Sequence, residues 1–316
     1  MSQKLDLSAH YGFIAVLVAS VLWGTTGTAA SFAPNLSPLA IGALAMGGGG
    51  LLQALLARKK IARHLQDIPR NKGILLLGAL SVAIYPLAFY SSMHLAGITI
   101  GTVVSIGTAP LFTALLERFL DQKQLSKRWF LSCCFGVLGV LLLSLGESHA
   151  TSQLQQHSTD QKVLGVILGL VAGLTYSLYS WAAKKMIDRG VDAKASIGLI
   201  FGFGAMLLLP TALYTGSNLF DEAIHVYVVG YMMLIPMFLG YLLFGYGLRA
   251  VPASRAVTLT LFEPFMAAVF AMLIVGEQLD GLGWLGMGLI FVCLIILFKV
   301  EDQPKTEAEM LPSTEI

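Results

Sequence analysis

Ten long runs nearly devoid of charge succeed one another along this chain, near residues 11–31, 38–57, 73–92, 97–116, 129–146, 163–183, 195–214, 226–246, 256–274 and 281–298. A helix needs roughly 20 largely apolar residues to cross the hydrocarbon core of a bilayer. Backbone polar groups cannot stay unpaired in lipid, and these runs are about twice too long for the strands of a barrel. The expected fold is therefore an all-α integral membrane protein with ten transmembrane helices. The first run is too long for a secretory signal, and nine more follow it, so it reads as a retained helix. Composition closes the case against a soluble protein: 12% of residues are charged, about half the fraction of a typical soluble domain.

Orientation follows from counting Lys and Arg in alternate connections. The N-terminus and every second loop carry 19 of the 20 basic residues; Lys162 alone falls on the other side. One span missed or invented would have scattered this bias. The expectation is a multi-pass plasma (inner) membrane protein with both termini cytoplasmic. The basic residues are then topology signals at the lipid headgroups and imply no nucleic-acid partner. Cys133, Cys134 and Cys293 fall inside predicted spans without metal-ligand spacing, which makes them packing residues, and no metal or other cofactor is expected.

The most polar connection between spans, 147–162, lies near the middle of the chain and reads as an external linker between two halves. A shift of 154 residues places Ala96 on Ala250, Pro110 on Pro264 and Leu125 on Leu279, and a shift of 153 places Gly12 on Gly165 and Trp23 on Tyr176. Matches in one order at nearly one offset are the mark of an old duplication. The division is a cytoplasmic N-terminus (1–10), a first repeat (11–146), the linker, a second repeat (163–299) and a disordered cytoplasmic tail (300–316), too polar to bury a core. Five spans per repeat is an odd number, so the second copy starts on the opposite face and the repeats are inverted. Such repeats characterise secondary transporters, whose halves rock about a central site.

Trp23-Gly24 in the first span, Ala109-Pro110 in the fourth, Glu263-Pro264 in the ninth and Gly276-Glu277-Gln278-Leu279 after it form a set. Together they resemble the EamA type of the drug/metabolite transporter superfamily, over roughly residues 11–299. Leu248-Arg249-Ala250-Val251-Pro252-Ala253-Ser254-Arg255 is similar to the second repeat of amino-acid and metabolite exporters in that family. The resemblance implies a midplane cavity lined mainly by spans 1, 3, 4, 6, 8 and 9, with spans 5 and 10 as buttresses. The chain departs from the pattern in its second span, where Ile41 to Gly50 reads IGALAMGGGG and lacks the customary Arg.

Glu263 is the most informative residue. Nine residues in from Ser254, it lies about 13 Å deep at the helical rise, near the midplane. A carboxylate there costs several kcal/mol unless it is protonated, paired or hydrated, so it should face a cavity or a partner. It is the candidate coupling residue, with protons as the coupling ion. Aromatic residues recur at similar depth: Trp23, Tyr85, Tyr90, Tyr176, Tyr179 and Tyr241. Buried Tyr hydroxyls need partners, which favours a polar cavity for an amphiphilic or aromatic solute, with ordinary packing the leading alternative for any single ring. Thr25 and Ser105 complete the candidate substrate-binding set. Pro86, Pro110, Pro236 and Pro264, with the Trp23-to-Thr28 stretch, are expected to interrupt or loosen their helices and free backbone groups for a ligand.

Gly245-Tyr246-Gly247-Leu248-Arg249-Ala250 fits a dinucleotide fingerprint formally, but it ends a membrane helix and follows no strand. There is no P-loop, HExxH or GxSxG motif, which argues against an ATP-driven pump or a hydrolase. The sequence reading is a secondary transporter, not an enzyme, exporting a small metabolite by alternating access. Its partners are membrane lipids and a small-molecule substrate, first of all an amino acid or amino-acid derivative, and it acts as a monomer or homodimer. Rival readings are an exporter of another amphiphilic solute such as a drug or metallophore, a polytopic enzyme acting on a lipid, and a membrane-embedded partner protein.

Overall fold

The computed structural model describes residues 2–146, 159–276 and 278–298, with side chains from His10 onward apart from Ile98 and Thr99. Most of the expected linker, the expected disordered tail and Glu277 lie outside the described residues.

Among these residues the ten spans are helices at Ser2–Ser31, Pro38–Arg63, Ile68–Ala96, Ile98–Leu120, Lys127–Gly146, Thr159–Asp188, Ala193–Thr215, Ala223–Gly247, Ala253–Val275 and Gly281–Phe298. All ten are long and apolar enough to cross a membrane, and the chain is a multi-pass membrane protein. Several outrun the apolar windows at the basic end, because Lys60, Arg63, Lys184 and Lys185 continue their helices past the hydrocarbon. Ends follow local chemistry. The Asp192 side chain accepts the Lys194 amide to cap the seventh span. Gly276, at φ +82°, adopts the left-handed conformation that stops the ninth.

Small residues fill the interior, Ala and Gly above all, while large apolar side chains such as Leu76, Phe130, Leu213 and Phe291 face outward. Lipid is as apolar as Leu, so burial of Leu gives helices no reason to associate there. Close backbone approach and dispersion hold them instead. The fifth and tenth spans show this best. A Cβ on Gly139 would stand 2.9 Å from the Gly286 carbonyl oxygen and 2.8 Å from Ile290.

The contacts repeat under exchange of the halves. The second span packs on the seventh and the fifth on the tenth, while third-on-sixth and fourth-on-sixth contacts are matched by eighth-on-first and ninth-on-first. Individual residues obey the same rule: Gly165 packs on Ala96, and Gly12 packs on Ala250. These are the positions paired by the internal offset, so the fold is two inverted five-helix repeats.

The expected helix breaks divide. Pro86 and Pro110 sit inside unbroken helices, since neighbouring turns absorb the missing amide. Pro236 lies in a π-helical stretch, Met233–Gly240, within the eighth span. The ninth span breaks at Thr260–Leu261, just before Pro264, and resumes at Phe262. The Trp23-to-Thr28 stretch is not loosened. Its helix continues to Ser31, with the Thr25 and Thr26 hydroxyls bonded back to the Leu22 and Trp23 carbonyls at 2.7 Å each.

Candidate functional site

A cavity lies where the broken eighth and ninth spans meet the first, second, third and sixth. Its wall carries Trp23, Tyr85, Tyr90, Tyr176, Tyr179, Tyr241 and Glu263, with Thr26, Gly42, Ala45, Met46, Pro86, Phe89 and Met237 between them. Its volume is about 50 Å³, counted as room for the centres of water molecules. At roughly 10–15 Å³ of such room per water, this holds a few waters or one small polar head. A larger solute requires the helices to part.

The wall is ordered by two contacts between the halves and one within the second. Trp23 Nε1 donates to the Pro236 carbonyl at 2.9 Å, and Gln53 Nε2 donates to the Met237 carbonyl at 2.7 Å. Both acceptors lie in the π-helical stretch, whose widened turns present carbonyls sideways. Tyr176 donates to Thr260 Oγ1 at 2.8 Å, at the break in the ninth span. Deeper toward the basic end, the Tyr179 and Tyr241 hydroxyls are 2.9 Å apart. The rings pack at tilted angles: centroids are 5.2 Å apart for Tyr176 and Tyr179, 5.6 Å for Tyr85 and Tyr176, and 4.7 Å for Trp23 and Tyr241.

Three polar groups on the wall have no partner among the described residues: the Glu263 carboxylate and the hydroxyls of Tyr85 and Tyr90. Glu263 is the one charged side chain on the wall. The wall extends from Tyr179 and Tyr241, toward the basic end, to Gly42, four residues into the second span from Pro38, or about 6 Å of helix rise.

At the basic end the loops are tied together. Lys185 pairs with Asp121, which also accepts Trp181 Nε1 at 2.7 Å. Lys60 pairs with Asp192 at 3.1 Å, and Arg189 donates to Asn71 at 3.0 Å. Glu117, buried, accepts Lys123 at 3.0 Å and the amides of Ala253 and Ser254 at 3.2 Å, holding the start of the ninth span against the fourth. With the two tyrosine contacts, these bonds tie the spans together between the cavity and that end. Burial pushes the Asp192 carboxyl up, but hydrogen bonds from Lys60 and from the Lys194 and Ala195 amides, with the Lys60 charge, outweigh it and hold the group below its usual range.

Two candidate residues lie off this wall. The Thr25 hydroxyl is bonded to the Leu22 carbonyl and accepts Tyr231 at 2.8 Å, on the flank facing the eighth span. Ser105 is buried beneath the sixth span, where a Cβ on Gly173 would stand 2.8 Å from its carbonyl oxygen. The same packing corrects the expected lining: among the described residues the fourth span contributes nothing to the wall and the second does. Ala109, the counterpart of Glu263, is fully buried, and Ser177 bonds its carbonyl at 2.7 Å. At the equivalent place in the other half Gly24 lies against the Glu263 carbonyl, which leaves the Glu263 side chain directed into the cavity. Gly42, Ala45 and Met46 went unread in the sequence because their run was notable only for lacking charge. The available signal was Gly42, since a Cβ there would meet the Tyr90 ring at 2.8 Å or less and Pro86 at 3.3 Å.

Comparison with known proteins agrees with this architecture. The model of the EamA-like transporter family matches twice, over residues 10–145 and 163–299. An uncharacterized transporter of Bacillus subtilis, YwfM, is 31% identical over 92% of this chain and 95% of its own length. An uncharacterized inner membrane transporter of Salmonella typhimurium, YicL, is 20% identical over 95% of this chain and 99% of its own length. A solved crystal structure superposes with a TM-score of 0.73 at 17% identity, covering 90% of this chain and 95% of that one, which is a likeness of fold. A family match over both halves, a close full-length relative and ten spans in two inverted repeats leave one assignment: the chain belongs to the EamA-like transporter family of the drug/metabolite transporter superfamily.

Proposed function

We propose that this protein is a secondary transporter of the inner membrane that exports a small amine-bearing metabolite of the amino-acid type by alternating access, with Glu263 exchanging protons for substrate. The observation that carries the reading is the unpartnered Glu263 carboxylate, the one charge on the wall of a cavity set between inverted repeats. A carboxylate at that depth is costly unless a proton or a cation accompanies it. Loading one or the other, but not both, couples their movements. The titratable groups facing Glu263 across the cavity are the hydroxyls of Tyr85, Tyr90, Tyr176 and Tyr241, and none is charged near neutral pH.

With the basic face cytoplasmic, the arrangement is open outward. The bonds of Asp121, Asp192 and Glu117 close the inner end, and the cavity reaches toward the outer one. The inward-open state would break the Tyr179–Tyr241 and Tyr176–Thr260 contacts and tighten the outer end around Gly42 and Tyr90. The π-helical stretch and the break at Thr260–Leu261 supply the segments able to bend.

The test is transport by purified protein in liposomes, with radiolabelled amino acids, their amides and amines, with and without an imposed pH gradient. Wild type is expected to accumulate its substrate only with the gradient. Glu263→Gln keeps shape but not titration, and should insert normally yet lose that accumulation. Equal behaviour of the two proteins across about pH 6 to 8 would remove Glu263 from coupling.

A further inference from the structure

What the wall lacks defines its occupant. Among the described residues no Lys, Arg or His side chain lines the cavity, and its one acidic group, Glu263, has no partner. A carboxylate or phosphate on a ligand would find no countercharge there and would sit beside a like charge. In a region of low dielectric that repulsion is far stronger than in water. We infer that the site selects a monocationic amine carried on an aromatic or apolar body, and rejects zwitterions and anions of the same shape.

Three features meet the ammonium head. Glu263 supplies the countercharge, and the free hydroxyls of Tyr85 and Tyr90 are acceptors for the remaining N–H groups of an ammonium, which has three donors and no acceptor. The other wall hydroxyls are committed, Tyr176 to Thr260 and Tyr179 to Tyr241. Trp23 and the tyrosines add ring faces, which attract a desolvated cation and exert no such pull on an anion. Size agrees as well. The cavity's room of about 50 Å³ suits a small head. The apolar body extends toward Gly42 and Ala45, where side chains are smallest, as the helices part to admit it. Within the amino-acid type of solute proposed above, this narrows the class to amines lacking a free carboxylate. It rests on that reading only for passage across the membrane.

The experiment is equilibrium binding to the purified full chain in detergent, by titration calorimetry near pH 7. The probes are phenethylamine, phenylalanine and 3-phenylpropionate, which share a phenyl ring and a short spacer and differ in charge. Phenethylamine is expected to bind at least about tenfold more tightly than phenylalanine, and 3-phenylpropionate more weakly still. Glu263→Gln should abolish the preference and Glu263→Asp should retain it, which separates a countercharge from a merely structural acid. Phenylalanine or 3-phenylpropionate binding as tightly as phenethylamine, a preference that persists in the Gln variant, or no binding of any probe by folded wild type would each overturn the inference. Selective phenethylamine binding without gradient-driven accumulation in liposomes would sink the transport reading alone. Accumulation of phenylalanine at equal affinity would sink this one alone.

Discussion

Tyr85 and Tyr176 share a ring contact at 5.6 Å but not a role. The Tyr85 hydroxyl is free, whereas that of Tyr176 ties the sixth span to the break in the ninth. Tyr85→Ala should alter substrate preference, measured as competition among probes, with little effect on folding. Tyr176→Ala should alter preference and also lower the thermal unfolding midpoint, because Thr260 loses its partner; such bonds in membranes are worth about 0.6 kcal/mol on average. Unchanged preference in both variants would return the rings to packing. Asp192 permits a test on the surface. Its carboxyl titrates below the usual range, so its contribution is fully present above the unfolded value of about 4 and is lost as pH falls through the lowered native one. Asn caps helices as well as Asp does. Asp192→Asn should therefore cost under about 1 kcal/mol at neutral pH, the scale of an exposed ion pair, and nothing in strong acid. Unfolding midpoints over a pH series decide it; equal losses at both ends would assign the effect to the cap.

Among elements, the fifth and tenth spans form the tightest backbone seam and stand apart from the cavity. Cys133 and Cys293, both buried, lie along it, while Cys134 faces outward. Gly139 and Gly286 thus serve packing within one molecule. Gly139→Leu should push the spans apart and lower thermal stability by several degrees, the usual consequence of overpacking by about 1–3 kcal/mol, while phenethylamine affinity stays within about twofold. A large loss of affinity without loss of stability would show that this seam moves during the cycle. The eighth and ninth spans are of the opposite kind. Carbonyls of the π-helical stretch accept Trp23 and Gln53 from the first and second spans, and at the break Tyr176 of the sixth span bonds the Thr260 hydroxyl. Irregular backbone survives at membrane depth where it is covered by protein in this way.

Across the whole molecule, one end gathers the basic loops and their acidic partners, and the cavity wall reaches Gly42 near the start of the second span at the other. Reporters fused after Lys60, Lys123 or Lys185 should remain cytoplasmic, while one inserted near Gln155 should reach the outside. Finding positions 60 and 155 on the same side would sink the orientation on which export depends.

The number of spans, their inverted duplication and the bias of Lys and Arg are decided by the sequence alone, since lipid admits few ways to satisfy a backbone and charge is costly within it. Glu263 and the mid-depth tyrosines were legible for the same reason: polar atoms stand out against an apolar background. Which face of each helix looks inward was not, because an all-apolar span carries no periodic signal of its buried side. Thr25 and Ser105 are polar at the right depth, yet one satisfies its hydroxyl on its own helix and a neighbouring Tyr, and the other is covered by the sixth span. Gly42, Ala45, Met46 and Met237 reach the wall without any chemistry that announces it. That only one of the two related halves carries an acid, Glu263 against Ala109, stands in the sequence; only the packing decided that the sixth span covers Ala109 while Glu263 lines the cavity.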